Sequence, residues 1–118
     1  MALGALLAAA GVALGAFGAH ALKARLPAEL LAAWNTAVQY HLWHALGVIA
    51  VGLAAALVAD GPWLRTAGAL LVAGILLFSG SLYALALGAP KGLGLLTPFG
   101  GVSLILGWLA LAVAVLRA

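Results

Sequence analysis

The chain has 118 residues, of which 68% are hydrophobic and only 6% charged, with a mean hydropathy of +1.30. Soluble domains carry roughly a quarter charged residues, so a water-covered globular surface is excluded and a single membrane-embedded unit over 1–118 is expected. The net charge of +3 comes from Lys23, Arg25, Arg65, Lys91 and Arg117, which form no basic stripe. Nucleic acid is therefore not an implied partner, and these cations read as anchors among lipid headgroups.

Four apolar stretches alternate with the charged residues: Ala2 to Leu22, Trp34 to Ala59, Trp63 to Gly88 and Pro98 to Leu116. Each approximates the roughly 17–25 residues that cross a hydrocarbon core. Backbone polar groups in lipid must be satisfied within the segment, so each is predicted to be a helix. The fold class that follows is all-α: a polytopic membrane protein, an antiparallel four-transmembrane-helix bundle with short connections.

In the first stretch Ala19-His20-Ala21 has the look of a signal-peptidase site. There is no basic segment before it and the apolar run is long, so a retained helix is expected. The same stretch places Gly4, Ala8, Gly11, Gly15 and Gly18 at spacings of four and three. Such seams let helix backbones approach closely in a membrane. Whether they serve packing within the bundle or a homo-oligomer is open in the sequence.

Pro27 and Glu29 mark a helix start well before Trp34, so the second helix should project from the membrane or enter the headgroup region. Trp34 and Trp63 read as interface markers. Asp60-Gly61-Pro62 predicts a tight turn with Pro62 opening the third helix. The connection Gly88 to Leu96 is glycine-rich and reads as irregular. Thr97-Pro98 reads as an N-cap followed by proline at the first helical position. The fourth helix carries a second seam: Gly100, Ser103, Gly107, Ala110 and Ala114. Lys23, Arg25 and Lys91 lie on one side, against Arg65, Arg117 and the amino terminus on the other. The positive-inside rule then leans towards both termini outside the cytoplasm.

Threading the helices in alternation gathers most polar side chains into one leaflet half. His20 ends the first helix, and Asn35, Thr36, Gln39, Tyr40, His41 and His44 open the second. Ser79, Ser81 and Tyr83 come from the third, with Thr97 and Ser103 from the fourth. Polar groups in lipid are costly and point into the bundle or a wet cavity. Two readings stand side by side: an interhelical hydrogen-bond network, or a pocket for a lipid headgroup, a quinone-like or other small ligand, or an ion. His20, His41 and His44 supply imidazoles that can ligate a metal, although no carboxylate is nearby to orient them. Ser79 or Ser81 with a histidine would be the elements of a hydrolase dyad. The only acids, Glu29 and Asp60, lie outside the spans, which argues against proton-coupled antiport. Cysteine is absent, which removes disulfides, thiolate metal sites and thiol nucleophiles.

The segments GAFGAHAL (Gly15–Leu22), TAVQYHLWHALG (Thr36–Gly47), SGSLYALAL (Ser79–Leu87) and TPFGGVSLILGW (Thr97–Trp108) resemble the YgdD-type family. That family comprises small bacterial inner-membrane proteins, with small eukaryotic transmembrane relatives, grouped as a domain of unknown function. The resemblance touches all four helices in order. It implies a multi-pass protein of the bacterial inner membrane and supplies no catalytic assignments. The expectation is a non-enzymatic protein without a cofactor. Its partners are membrane lipids, and its polar half binds a lipid or small ligand or supports a partner; a histidine-based metal-binding or transport protein is the alternative.

Overall fold

The computed structural model describes residues 1–58 and 60–118. Helix α1 runs Ala2–Phe17 and continues through a π-helical turn at Gly18–Leu22. Helix α2 is unbroken over Ala28–Leu57. The third span is α3, Pro62–Gly74, then a π-helical turn at Ile75–Ser79, then α4, Gly80–Ala86. A 3-10 helix at Lys91–Leu95 leads directly into α5, Leu96–Leu116. All four stretches are long and apolar enough to cross a membrane.

At 1.5 Å per residue the 30 residues of α2 extend about 45 Å, well beyond a hydrocarbon core of about 30 Å. Counted back from Leu57, about 20 residues in hydrocarbon reach Val38. Asn35 and Thr36 therefore sit at headgroup level, and Gln39 lies just inside. The expected end of this helix at Ala59 lies outside the described residues. The third helix ends at Ala86 rather than Gly88, because Gly88 takes a φ of +100°, a left-handed conformation that glycine adopts freely.

The bundle is a slab of 49 × 26 × 15 Å. Helix α2 is its centre, flanked by α1 on one side and by the third span on the other, while α5 packs mainly on α3. Among the described residues no Cα of α1 comes within 8 Å of the third or fourth span. Both small-residue seams are used inside the chain. A Cβ on Gly4 would strike Ile49, on Gly11 Leu42, on Gly15 Val38 and on Gly18 the Trp34 indole, so α1 lies on α2 along that edge. Likewise Gly107 abuts Leu71 and Gly100 abuts the Leu77–Phe78 backbone, seating α5 on the third span.

Two apolar clusters follow from this arrangement. One joins Val48 and Val51 of α2 to Leu64, Ala67, Leu71 and Ile75 of the third span and to Leu104 and Ala110 of α5. The other, at the opposite end, collects Trp34, Leu22 and Ala86.

Three local expectations are corrected. Trp34 is 1% exposed, buried under α1 rather than facing headgroups, because Gly18 leaves a space that the indole fills. Trp63 does stay at the surface, with the Arg117 guanidinium 5.6 Å from its ring centre. Thr97 is not an N-cap: α5 begins one residue earlier at Leu96 with no side-chain cap, and Pro98 falls inside its first turn, where the missing N–H costs nothing. The Gly88–Leu96 connection is half ordered, since Pro90 starts the 3-10 helix that α5 continues. At the Asp60 turn, Arg65 forms an exposed ion pair at 2.6 Å, and this guanidinium holds the Asp60 carboxyl below the usual carboxylate range.

The glycine contacts make a direct prediction. A Cβ on Gly100 would meet backbone, which cannot swing away, whereas one on Gly80 meets nothing within 4 Å. Gly100→Ala should destabilise the bundle by about 1–3 kcal/mol, the usual cost of overpacking. Gly80→Ala, at a helical φ and ψ, should be neutral or stabilising by up to about 1 kcal/mol. Reversible unfolding in mixed detergent micelles measures both.

Candidate functional site

In hydrocarbon a side-chain donor has only protein to bond, and the interior donors of this chain are spent on neighbouring helices. The Trp34 indole Nε1 donates to the Leu14 carbonyl at 2.9 Å, tying α2 to α1. Ser79 Oγ donates to the Ala37 carbonyl at 2.7 Å, and His41 Nδ1 lies 3.0 Å from the Tyr83 hydroxyl; both tie α2 to the third span. Ser81 Oγ and Thr97 Oγ1 pair at 2.6 Å, and Ser103 Oγ donates to the Leu70 carbonyl at 2.7 Å, tying the third span to α5. These three main helix-to-helix seams thus each carry at least one side-chain hydrogen bond.

The π-helical turn at Ile75–Ser79 lies in the middle of this network. It is closed by the Gly80 N–H bonding back to the Ile75 carbonyl. The extra residue it inserts resets the face presented beyond it, and Ser79, Ser81 and Tyr83 follow directly on α2 and α5. Such turns recur at functional sites. The other π-helical turn holds His20, with the Lys23 N–H bonding the Gly18 carbonyl at 3.0 Å.

Aromatic rings pack around the histidines. Tyr40 stacks on His44 with centroids 5.7 Å apart and contacts Phe78 at 4.3 Å. Tyr83 meets Trp34 at 4.7 Å and His41 at 6.0 Å. His44 is held by its own helix, Nδ1 donating to the Tyr40 carbonyl at 2.5 Å, which sets the tautomer with the proton on Nδ1. His41 is 5% exposed and its Nε2 is buried without a hydrogen bond. The Gly11 position opens beside this ring, where an added Cβ would lie 3.4 Å from His41 Cδ2.

The ten residues expected to form a polar pocket divide into two sets. His41, His44, Ser79 and Ser81 are buried, and Tyr40 and Tyr83 are half-buried. His20, Asn35, Thr36 and Gln39 are exposed. On α2 the reason is angular: successive residues turn by about 100°, so His41 and His44 face the neighbouring spans while Thr36 and Gln39 face away. Among the described residues no three His, Cys, Asp or Glu side chains come together in a group able to hold a metal. His20 stands apart from the two buried histidines. Ser79 and Ser81 bond carbonyls and Thr97, and neither bonds a histidine.

Two cavities lie away from the network. One, of about 220 Å³, is at the Asp60 end between Trp63 and Arg117. The other, of about 410 Å³, is an apolar groove floored by Val48, with Leu3 on one side and Gly68, Val72 and Leu76 on the other. Sequence reading missed Trp34 as a network donor. The signal was available in part: an indole N–H buried against a glycine seam needs an acceptor, and the seam's own carbonyls supply one.

Comparison with known proteins places the chain among membrane proteins. The DUF423 family model, described as a protein of unknown function, matches residues 14–101. The chain is 46% identical over 115 residues to the UPF0382 membrane protein YwdK of Bacillus subtilis, covering 98% of this chain and 94% of that one. It is 44% identical over 115 residues to the UPF0382 membrane protein SERP0230 of Staphylococcus epidermidis, covering 98% and 93%. A UPF0382 membrane protein of Haemophilus influenzae is 44% identical over 101 residues, covering 86% and 80%. No solved structure matches.

If the network holds the helices together, its pairs should be energetically coupled. In a double-mutant cycle of His41→Leu and Tyr83→Phe, the coupling energy should be about 0.6 kcal/mol, and at most about 1.7 kcal/mol. Additive losses in unfolding free energy would show that the pair contributes no mutual stabilisation.

Proposed function

The chain belongs to the DUF423 family of membrane proteins, and from that premise we propose that it is a non-enzymatic lipid-binding protein of the bacterial inner membrane. Its working surface is the end that carries Lys23, Arg25 and Lys91, and the ligand class is an anionic lipid headgroup. One observation carries the reading: the interior polar groups are committed to one another, so the polar chemistry left free is outside. Exposed His20, Lys23, Arg25, Asn35, Thr36 and Lys91 all lie at this end. The cations at the other end are engaged, Arg65 with Asp60 and Arg117 with Trp63.

The charge distribution supports this reading, since each Lys or Arg near an anionic surface adds about 1 kcal/mol of attraction. Amide and hydroxyl groups such as Asn35 and Thr36 add hydrogen bonds to phosphate oxygens. The same cations, taken with the positive-inside rule, put this end on the cytoplasmic side and both termini outside.

The test is lipid retention in nanodiscs of mixed phosphatidylglycerol and phosphatidylcholine, read by native mass spectrometry. The parent chain should retain phosphatidylglycerol preferentially. Lys23→Gln, Arg25→Gln and Lys91→Gln should each cut that preference roughly fivefold, while Arg117→Gln leaves it unchanged. Equal retention of the two lipids by the parent chain would end the proposal.

A further inference from the structure

We propose that α2 pairs in parallel with the α2 of a second copy of this chain, along its outward face, with Gln39 at the polar point of the contact. The face consists of Ala32, Thr36, Gln39, Trp43, Leu46, Ala50, Leu53 and Leu57, at spacings that alternate four and three over the length of the helix. That is a repeat of 3.5 residues, the period at which two helices wind around each other left-handed. All are exposed except Ala50, which is half-buried; Trp43 is 55%, Leu46 60% and Leu57 81% exposed.

Any outward helix face repeats every three or four residues, so spacing alone does not select an occupant. Gln39 does. It lies inside the hydrocarbon by the residue count from Leu57, it points outward, and it takes part in none of the side-chain hydrogen bonds among the described residues. Acyl chains offer its amide nothing, and polar side chains within a membrane face protein or water. A carboxamide both donates and accepts, so it is complementary to itself. Under a two-fold axis along the membrane normal, Gln39 of each copy faces the same amide of the other, the self-matching geometry of an isologous interface. A single polar residue in an apolar seam also fixes register, since any slip leaves both amides unpaired.

The small-residue seams are not available for this contact. Those of α1 and α5 are filled by Ile49, Leu42 and Trp34 and by Leu71 and Phe78. The outward face of α2 lies between α1 and α5, which do not touch each other, so no described residue of the chain covers it. This inference goes beyond the lipid-binding reading and stands independently of it.

The chain has no cysteine, so single cysteines can be placed without background. Residues Thr36, Gln39, Trp43, Leu46, Ala50 and Leu53 are each replaced by cysteine, and oxidative cross-linking is followed in native membranes. Dimers should form along this face with the four-three periodicity. Leu6→Cys and Ile105→Cys, on outward faces of α1 and α5 (69% and 62% exposed), should cross-link little. Gln39→Leu in the Leu46→Cys background should lower the yield roughly threefold, the effect of a membrane hydrogen bond of about 0.6 kcal/mol. Equal or stronger cross-linking at Leu6→Cys or Ile105→Cys, or no dimer at any α2 position, would overturn the proposal.

Discussion

Hydrocarbon offers no hydrogen-bond partner, and the architecture of this chain follows from that. Helices satisfy the backbone within each span, so the remaining problem is the side chains. Trp34, Ser79, Ser81 and Ser103 solve it by reaching the carbonyls or hydroxyls of a neighbouring helix. They can do so only because the helices come close, and closeness depends on glycine. Gly18 accepts the Trp34 ring and Gly100 lets α5 rest on the backbone of Phe78. Small residues set the distance, and the polar side chains then fix which helix sits opposite which. Individual membrane hydrogen bonds are weak; their distribution over the main seams gives the network its reach.

The placement of α2 decides where chemistry can occur. Its inward side is shared among α1, the third span and α5, and there the polar groups are consumed. Its outward side retains free amides and hydroxyls, first at headgroup level and then one turn into the apolar region. A flat slab only 15 Å thick cannot enclose a large polar cavity, so binding is a matter of surfaces and of the end that carries the free cations. His41 is the exception inside, a buried ring with one nitrogen bonded to Tyr83 and the other unmatched.

The two π-helical turns share one physical role. Each inserts one residue into a span, and each lies next to polar contacts: Gly18 under Trp34 in the first, Ser79 against Ala37 in the second. A regular α-helix would rotate the following residues by about 100° less and carry Ser81 and Tyr83 away from their partners. The irregularity is therefore part of the network's geometry.

The sequence by itself determined the four spans, their alternation and the clustering of polar residues towards one end. Those depend on hydropathy, length and the position of charges, all of which are local. It also displayed the glycine seams, without saying what fills them. Tertiary structure decided which polar residues face one another. Asn35, Thr36 and Gln39 are as polar as His41 and Ser79, and what separates the two sets is the angle at which α2 meets its neighbours. Trp34 looked like an interface residue because tryptophan favours headgroups, and it became core because α1 offered a glycine and a carbonyl at the same height. Thr97 had the form of a cap, yet helical structure already preceded it and Ser81 lay within reach. For Trp34 and Thr97 the deciding contact joins residues at least 16 positions apart in the chain, which no local pattern encodes.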